Sequence, residues 1–210
     1  MTKIKTIDDP KSTEKNEVTG SILDIFIIIF SSANRTNFLV AMWLWTMNQL
    51  MYYNTLLNLE KFKDDFENAP RIFFISYIIS NLVAGVFANN FNRKTLIIVG
   101  SVCTWVSILF IYYIKYFSIN NAVLKYFSFA FFNIVFCFTG NISYIYIPEL
   151  FPSNIKNTCV SYAKIPARLL LIITPFLFDS VNVMYFVYFV MNFVIPALLY
   201  FTPETKEDDK

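Results

Sequence analysis

Histidine is missing from all 210 residues. Its absence removes the usual general base, the commonest zinc ligand and any nucleophile activated by imidazole, so a metalloenzyme or a Ser-His hydrolase is excluded. No enzyme activity, metal or cofactor is expected. Charge is also scarce, at 15% of residues against ~25% in ordinary soluble domains. The three cysteines, Cys103, Cys137 and Cys159, fall in or beside apolar stretches without paired spacing. They read as small buried hydrophobes rather than disulfides or metal ligands. No phosphate-binding glycine loop occurs, so ATP-driven pumping has no support. A net charge of +2 is too mild to argue for nucleic acid. What the chain has in excess is apolar surface: 56% hydrophobic residues, including 24 Phe and 13 Tyr. With a mean hydropathy of +0.51, lipid is the implied solvent.

Charge-free runs cover 36–59, 72–92, 95–114, 126–148 and 180–203. Each is long enough to cross a ~30 Å hydrocarbon layer as a helix. A further apolar stretch, 158–178, is interrupted by Lys164 and Arg168; without it the last run would start on the wrong side of the membrane. The expectation is an all-α membrane protein with six spans, at about 37–58, 72–91, 95–114, 126–147, 158–178 and 181–201. Residues 1–35 form a cytoplasmic segment whose apolar run Ile22 to Phe30 is too short to span and reads as a surface-lying helix. Asp8, Asp9, Glu14 and Glu17 are wrong for the basic start of a signal peptide. Residues 204–210 form a tail. With the N-terminus inside, ten basic residues outside the spans fall on the inner side, among them Arg35, Arg93, Lys94 and Lys156. Five fall outside: Lys61, Lys63, Arg71, Lys115 and Lys125. Both termini are therefore expected in the cytoplasm.

Arg168 lies at the middle of the interrupted span, roughly 15 Å from either helix end. An arginine at that depth costs about 2.5–3.5 kcal/mol on insertion scales, so it should face a bundle interior or a water-filled cavity. Lys164 shares its helical face one turn earlier, and Pro166 between them favours a kink or local unwinding. Two cations beside a helix irregularity suit an anion or carboxylate site. The plainer alternatives are a structural pair to a carboxylate, or a shifted helix that lets Lys164 reach the interface. Polar and aromatic residues cluster inside other spans: Asn48, Gln49, Tyr52, Tyr53 and Asn54 in the first, Asn81 in the second, Asn133, Asn141, Tyr144 and Tyr146 in the fourth. Such residues line solute paths or serve as helix-packing glue. On the inner face, Arg93, Lys94 and Lys156 stand opposite Glu149 and Glu204. They read either as a conformational latch or as ordinary positive-inside anchors.

Asn92-Arg93-Lys94, Tyr146-Ile147-Pro148-Glu149-Leu150-Phe151-Pro152 with Lys156-Asn157-Thr158, and the closing Pro203-Glu204-Thr205 resemble the C-terminal half of a major facilitator superfamily transporter. Trp45 with Tyr52-Tyr53, and Ala167-Arg168 seven residues before Pro175, are similar to the organic cation/anion transporter family. Asn92 stands where the family has glycine, a place Asn tolerates by accepting left-handed geometry. Asn81 stands where anion-type members often carry a lysine. With only four glycines in the chain, close helix contacts must be made by other means. The resemblance implies one six-helix half of a twelve-helix fold whose halves rock around a midplane site. A missing N-terminal half, a second copy or another membrane partner would complete it. The expected function is transport of small organic ions, with a weak preference for anions. Arg168 and Lys164 would attract substrate charge, Tyr52, Tyr53 and Tyr144 would supply aromatic walls, and Asn81 a polar contact. The alternative is a half-bundle that moves nothing and acts as an interaction module or a truncated remnant.

Overall fold

The computed structural model describes residues 32–59, 68–117, 119, 121–153, 155–177 and 181–202. The expected surface helix at 22–30 and the tail from 204 lie outside them. Among the described residues seven helices follow in order: α1 (Ser32–Leu57), α2 (Ala69–Asn90), α3 (Arg93–Tyr116), α4 (Ala122–Glu149), α5 (Lys156–Ala163), α6 (Ile165–Leu177) and α7 (Val181–Tyr200). Among the described residues there is no strand.

Local chemistry sets the ends. Pro70 occupies the first turn of α2, where its missing N–H has no helical partner to lose. Asn121 caps α4, its side-chain oxygen accepting from Val123 N at 3.1 Å and Leu124 N at 3.3 Å. Only Phe91 and Asn92 separate α2 from α3. Asn92 takes φ −66° and ψ 126°, an extended conformation open to any residue, so the left-handed geometry expected there is not used. At Lys164 the fifth apolar stretch breaks into α5 and α6. Pro166 offers no N–H to close the preceding turn, and the Lys164 amide bonds Ser161 O instead at 3.3 Å.

Among the described residues four helices, α2, α3, α4 and α7, are long and apolar enough to cross a membrane. The chain is thus an integral, multi-pass membrane protein. Two segments of the expected six do not meet that measure of length and composition. α1 carries Asn37, Asn48, Gln49 and Asn54, which dilute its apolarity. The fifth stretch is divided into pieces of 8 and 13 residues.

α1 and α4 form the centre: α1 packs on α4, α5, α6 and α7, and α4 packs on α1, α2, α3 and α5. The pattern has an internal symmetry. Exchanging α1 with α4, α2 with α6 and α3 with α7 turns the α1–α6 contact into α4–α2 and α3–α4 into α7–α1, and leaves α3–α7 unchanged. Such repeats are the building plan of many transporters.

Close packing here comes from small residues. Ser76, Ser80, Ala84 and Ala88 form the buried stripe of α2. Gly100 lies so near α4 that a Cβ there would overlap Thr139 Oγ1. Without water to drive apolar association, such close approach and interhelical hydrogen bonds hold helices together in lipid. Polar pins add to it. Asn54 Nδ2 donates to the fully buried Tyr188 hydroxyl at 3.0 Å, with Thr55 Oγ1 3.3 Å from the same atom. Trp43 Nε1 donates to Met191 O at 3.2 Å, and Tyr112 OH to Asn182 O at 2.7 Å. The outward faces of α2, α3 and α7 expose Phe74, Ile78, Leu82, Val106, Leu109, Phe186 and Phe193, an apolar coat suited to lipid.

Candidate functional site

The central pair α1 and α4, together with α2 and the α5–α6 break, enclose two adjoining cavities. The first, about 240 Å³, is lined by Asn48, Gln49, Tyr52, Tyr53, Tyr77, Phe136, Cys137, Gly140, Asn141 and Tyr144. On α1, residues 45, 48, 49 and 52 recur at helical spacing, so one face delivers Trp45, Asn48, Gln49 and Tyr52 inward. Tyr52 sits in an aromatic corner, its ring 5.2 Å from Tyr53, 5.5 Å from Tyr77 and 5.8 Å from Phe73. Gly140 on α4 lies beside Asn48, and a Cβ there would rest in ordinary contact 3.5 Å from Asn48 Oδ1. No charged side chain enters this lining.

The second cavity, about 200 Å³, is lined by Trp45, Gln49, Tyr144, Lys164 and Arg168. Lys164 Nζ lies 4.5 Å from the Trp45 ring centroid, a cation–π contact. Trp45 in turn meets Tyr144 edge-on at 4.6 Å between centroids. Lys164 is half-buried and Arg168 exposed. Among the described residues Glu149 is the only carboxylate side chain, and it pairs with Arg93. The two cations of this cavity therefore have no carboxylate counterpart within the described chain. The lining is rich in donors: a guanidinium, an ammonium, the Trp45 N–H and the Tyr144 hydroxyl. Gln49 Nε2 donates to that hydroxyl oxygen at 2.7 Å, which leaves its proton to point elsewhere. The arrangement can hold an anionic oxygen and offers nothing to neutralise a cation.

At the far end of α4 a second cluster joins four segments. Arg93 Nη1 lies 3.2 Å from Glu149 Oε2, across the α2–α3 turn and the end of α4. Lys94 Nζ donates to Thr202 O at 2.6 Å, and the Tyr146 hydroxyl meets Thr202 Oγ1 at 2.8 Å. Asn37 Nδ2 on α1 donates to Leu150 O at 3.2 Å.

Among the residues singled out from sequence, Tyr52, Tyr53 and Tyr144 meet in the first cavity, and Tyr144 meets Lys164 and Arg168 in the second. Asn81 enters neither lining. It is exposed, one position off the buried stripe of α2, and its amide donates to Tyr77 O at 2.8 Å. Of the inner-face group, Arg93, Lys94 and Glu149 come together with Thr202, Lys156 opens α5 half-buried, and Glu204 lies outside the described residues. Tyr77, Cys137 and Gly140 were not picked from sequence as lining residues. Tyr77 had a usable signal, since it precedes Asn81 by one helical turn. Thr202 had none, being an ordinary polar residue after an apolar run.

Among curated proteins, none matches this chain. The family model described as "Sugar (and other) transporter" matches residues 3–209. A multi-pass helical bundle with an inward polar cavity and that match over nearly its whole length identify the chain as a member of the sugar (and other) transporter family, within the major facilitator superfamily.

Proposed function

We propose that the protein is half of a secondary transporter for small organic ions, with a preference for anions, of the organic cation/anion type. The observation that carries the preference is the donor-rich second cavity, where Lys164 and Arg168 face Trp45, Gln49 and Tyr144 without a described carboxylate to offset them. A solute carboxylate supplies the missing charge, and charge-assisted hydrogen bonds are the strong ones. Tyr52, Tyr53 and Tyr144 form the walls of the adjoining compartment. In this reading the chain crosses the membrane six times, counting α1 and α5–α6 as spans, with residues 36–203 as the transport unit and both termini in the cytoplasm. A second six-helix half, from another chain or a second copy, would close the solute path. Arg93, Lys94, Glu149 and Lys156, with Glu204 in the tail, would latch the inner face in one state of an alternating-access cycle, and Asn81 would meet the solute or the second half from α2. Arg168→Ala should abolish uptake of small carboxylates in cells while surface expression persists. Unchanged uptake kinetics would refute the role of Arg168 and with it the anion preference.

A further inference from the structure

Gln49 and Tyr144 are the two residues common to both cavity linings, and they are bonded to each other at 2.7 Å. The boundary between the cationic compartment and the amide–tyrosine compartment therefore runs through one hydrogen bond. Both sides hold buried polar atoms without a protein partner: Asn48 Nδ2 and Gln49 Oε1, on residues 5% and 9% exposed, and Trp45 Nε1. Buried amide atoms left unpaired are costly, which gives them a use when a solute group arrives.

We infer that the Gln49–Tyr144 hydrogen bond is a length filter on the solute, a proposal that rests on the anion-transport reading above. While it is closed, the cationic compartment accepts a compact carboxylate held by Arg168 and Lys164. When it opens, the compartments join, and the site accepts a carboxylate carrying a hydrogen-bonding tail, whose hydroxyls meet Asn48 Nδ2 and the freed Gln49 amide. The second solute class is thus an elongated hydroxy acid rather than a purely apolar anion. Opening costs about one net hydrogen bond, a factor of about five in affinity that long solutes bear and short ones do not.

Two sodium salts of hydroxy acids separate the cases: lactate, short enough for one compartment, and gluconate, which must reach the second. Neither enters detergent. Binding of each to the purified full chain in detergent micelles is measured by calorimetry for the wild type, Tyr144→Phe, Gln49→Ala and Arg168→Ala. Tyr144→Phe keeps the ring and removes only the hydroxyl, so it serves even where Gln49→Ala folds poorly. The expected result is a gluconate-to-lactate affinity ratio raised about five-fold in Tyr144→Phe, and raised less in Gln49→Ala, which opens the same boundary and also removes the amide that the gluconate tail would meet. Binding that depends on Arg168 but shows an unchanged or lowered ratio in Tyr144→Phe would overturn the filter and leave the anion site standing. Failure of the wild type to bind either salt, or binding indifferent to Arg168→Ala, would overturn the anion reading and this proposal with it.

Discussion

A glycine pair offers a sharp test of the packing. A Cβ at Gly100 would overlap Thr139 Oγ1 on α4 and come within 3.3 Å of Thr139 Cβ, whereas one at Gly85 on α2 would meet nothing within 4 Å. Both positions are interior to helices, so Gly→Ala brings the same propensity gain, up to about 1 kcal/mol on aqueous scales. Only Gly100→Ala adds steric cost, and overpacking of this kind typically costs ~1–3 kcal/mol. The difference between the two variants isolates the overlap. For a chain of this size, 1 kcal/mol corresponds to a shift of about 2–4 °C in the unfolding midpoint. Gly100→Ala should therefore melt about 2–12 °C below Gly85→Ala in detergent micelles, read by tryptophan fluorescence. Removing the obstacle should restore most of the loss. Thr139→Ala deletes the overlapping oxygen, whose own bond runs within α4 to Val135 O at 2.9 Å and links no second helix. Equal melting of the two single variants would refute the close α3–α4 approach. So would a double variant no better than Gly100→Ala alone.

The Arg93–Glu149 pair predicts a charge-swap rescue: Arg93→Glu and Glu149→Arg should each lower uptake several-fold, and the double swap should recover at least half of it. Side chains 21% and 27% exposed keep the ion-pair energy near ~1 kcal/mol, and a swap that recovers nothing would remove the latch. Tyr188→Phe leaves the Asn54 amide buried without its acceptor and should destabilise the bundle by about 1–2 kcal/mol in thermal unfolding. A shift below the scatter of repeat melts would mean that the α1–α7 seam does not depend on that bond.

Legibility in the sequence followed chemistry with a fixed period or a large cost. Charge spacing marked the apolar helices, because a bilayer penalises each charge by kilocalories and leaves gaps where helices lie. Pro166 between two cations marked the place where the fifth stretch divides into α5 and α6. Tyr52, Tyr53 and Tyr144 could be singled out because hydroxyls in apolar runs need a reason. What could not be read is what depends on rotation about a helix axis or on contacts between distant segments. Asn81 looked equivalent to Asn48 by composition, yet the buried stripe of α2 passes one residue to its side and leaves it exposed. Thr202 meets Lys94 and Tyr146 across separations of 108 and 56 residues, which no local pattern announces.

The break at Lys164 ties these observations to chemistry. Lys164, at the break, and Arg168, one turn further on, line one cavity with the inward face of α1. Trp45 then holds the ammonium by its ring face, which attracts a cation without neutralising it. A carboxylate in that position would cancel the charge and close the site to anions, while an aromatic ring keeps the charge in place and available. Replacing Trp45 by Glu should therefore abolish small-carboxylate binding even though Lys164 and Arg168 remain, and Trp45→Phe should retain it.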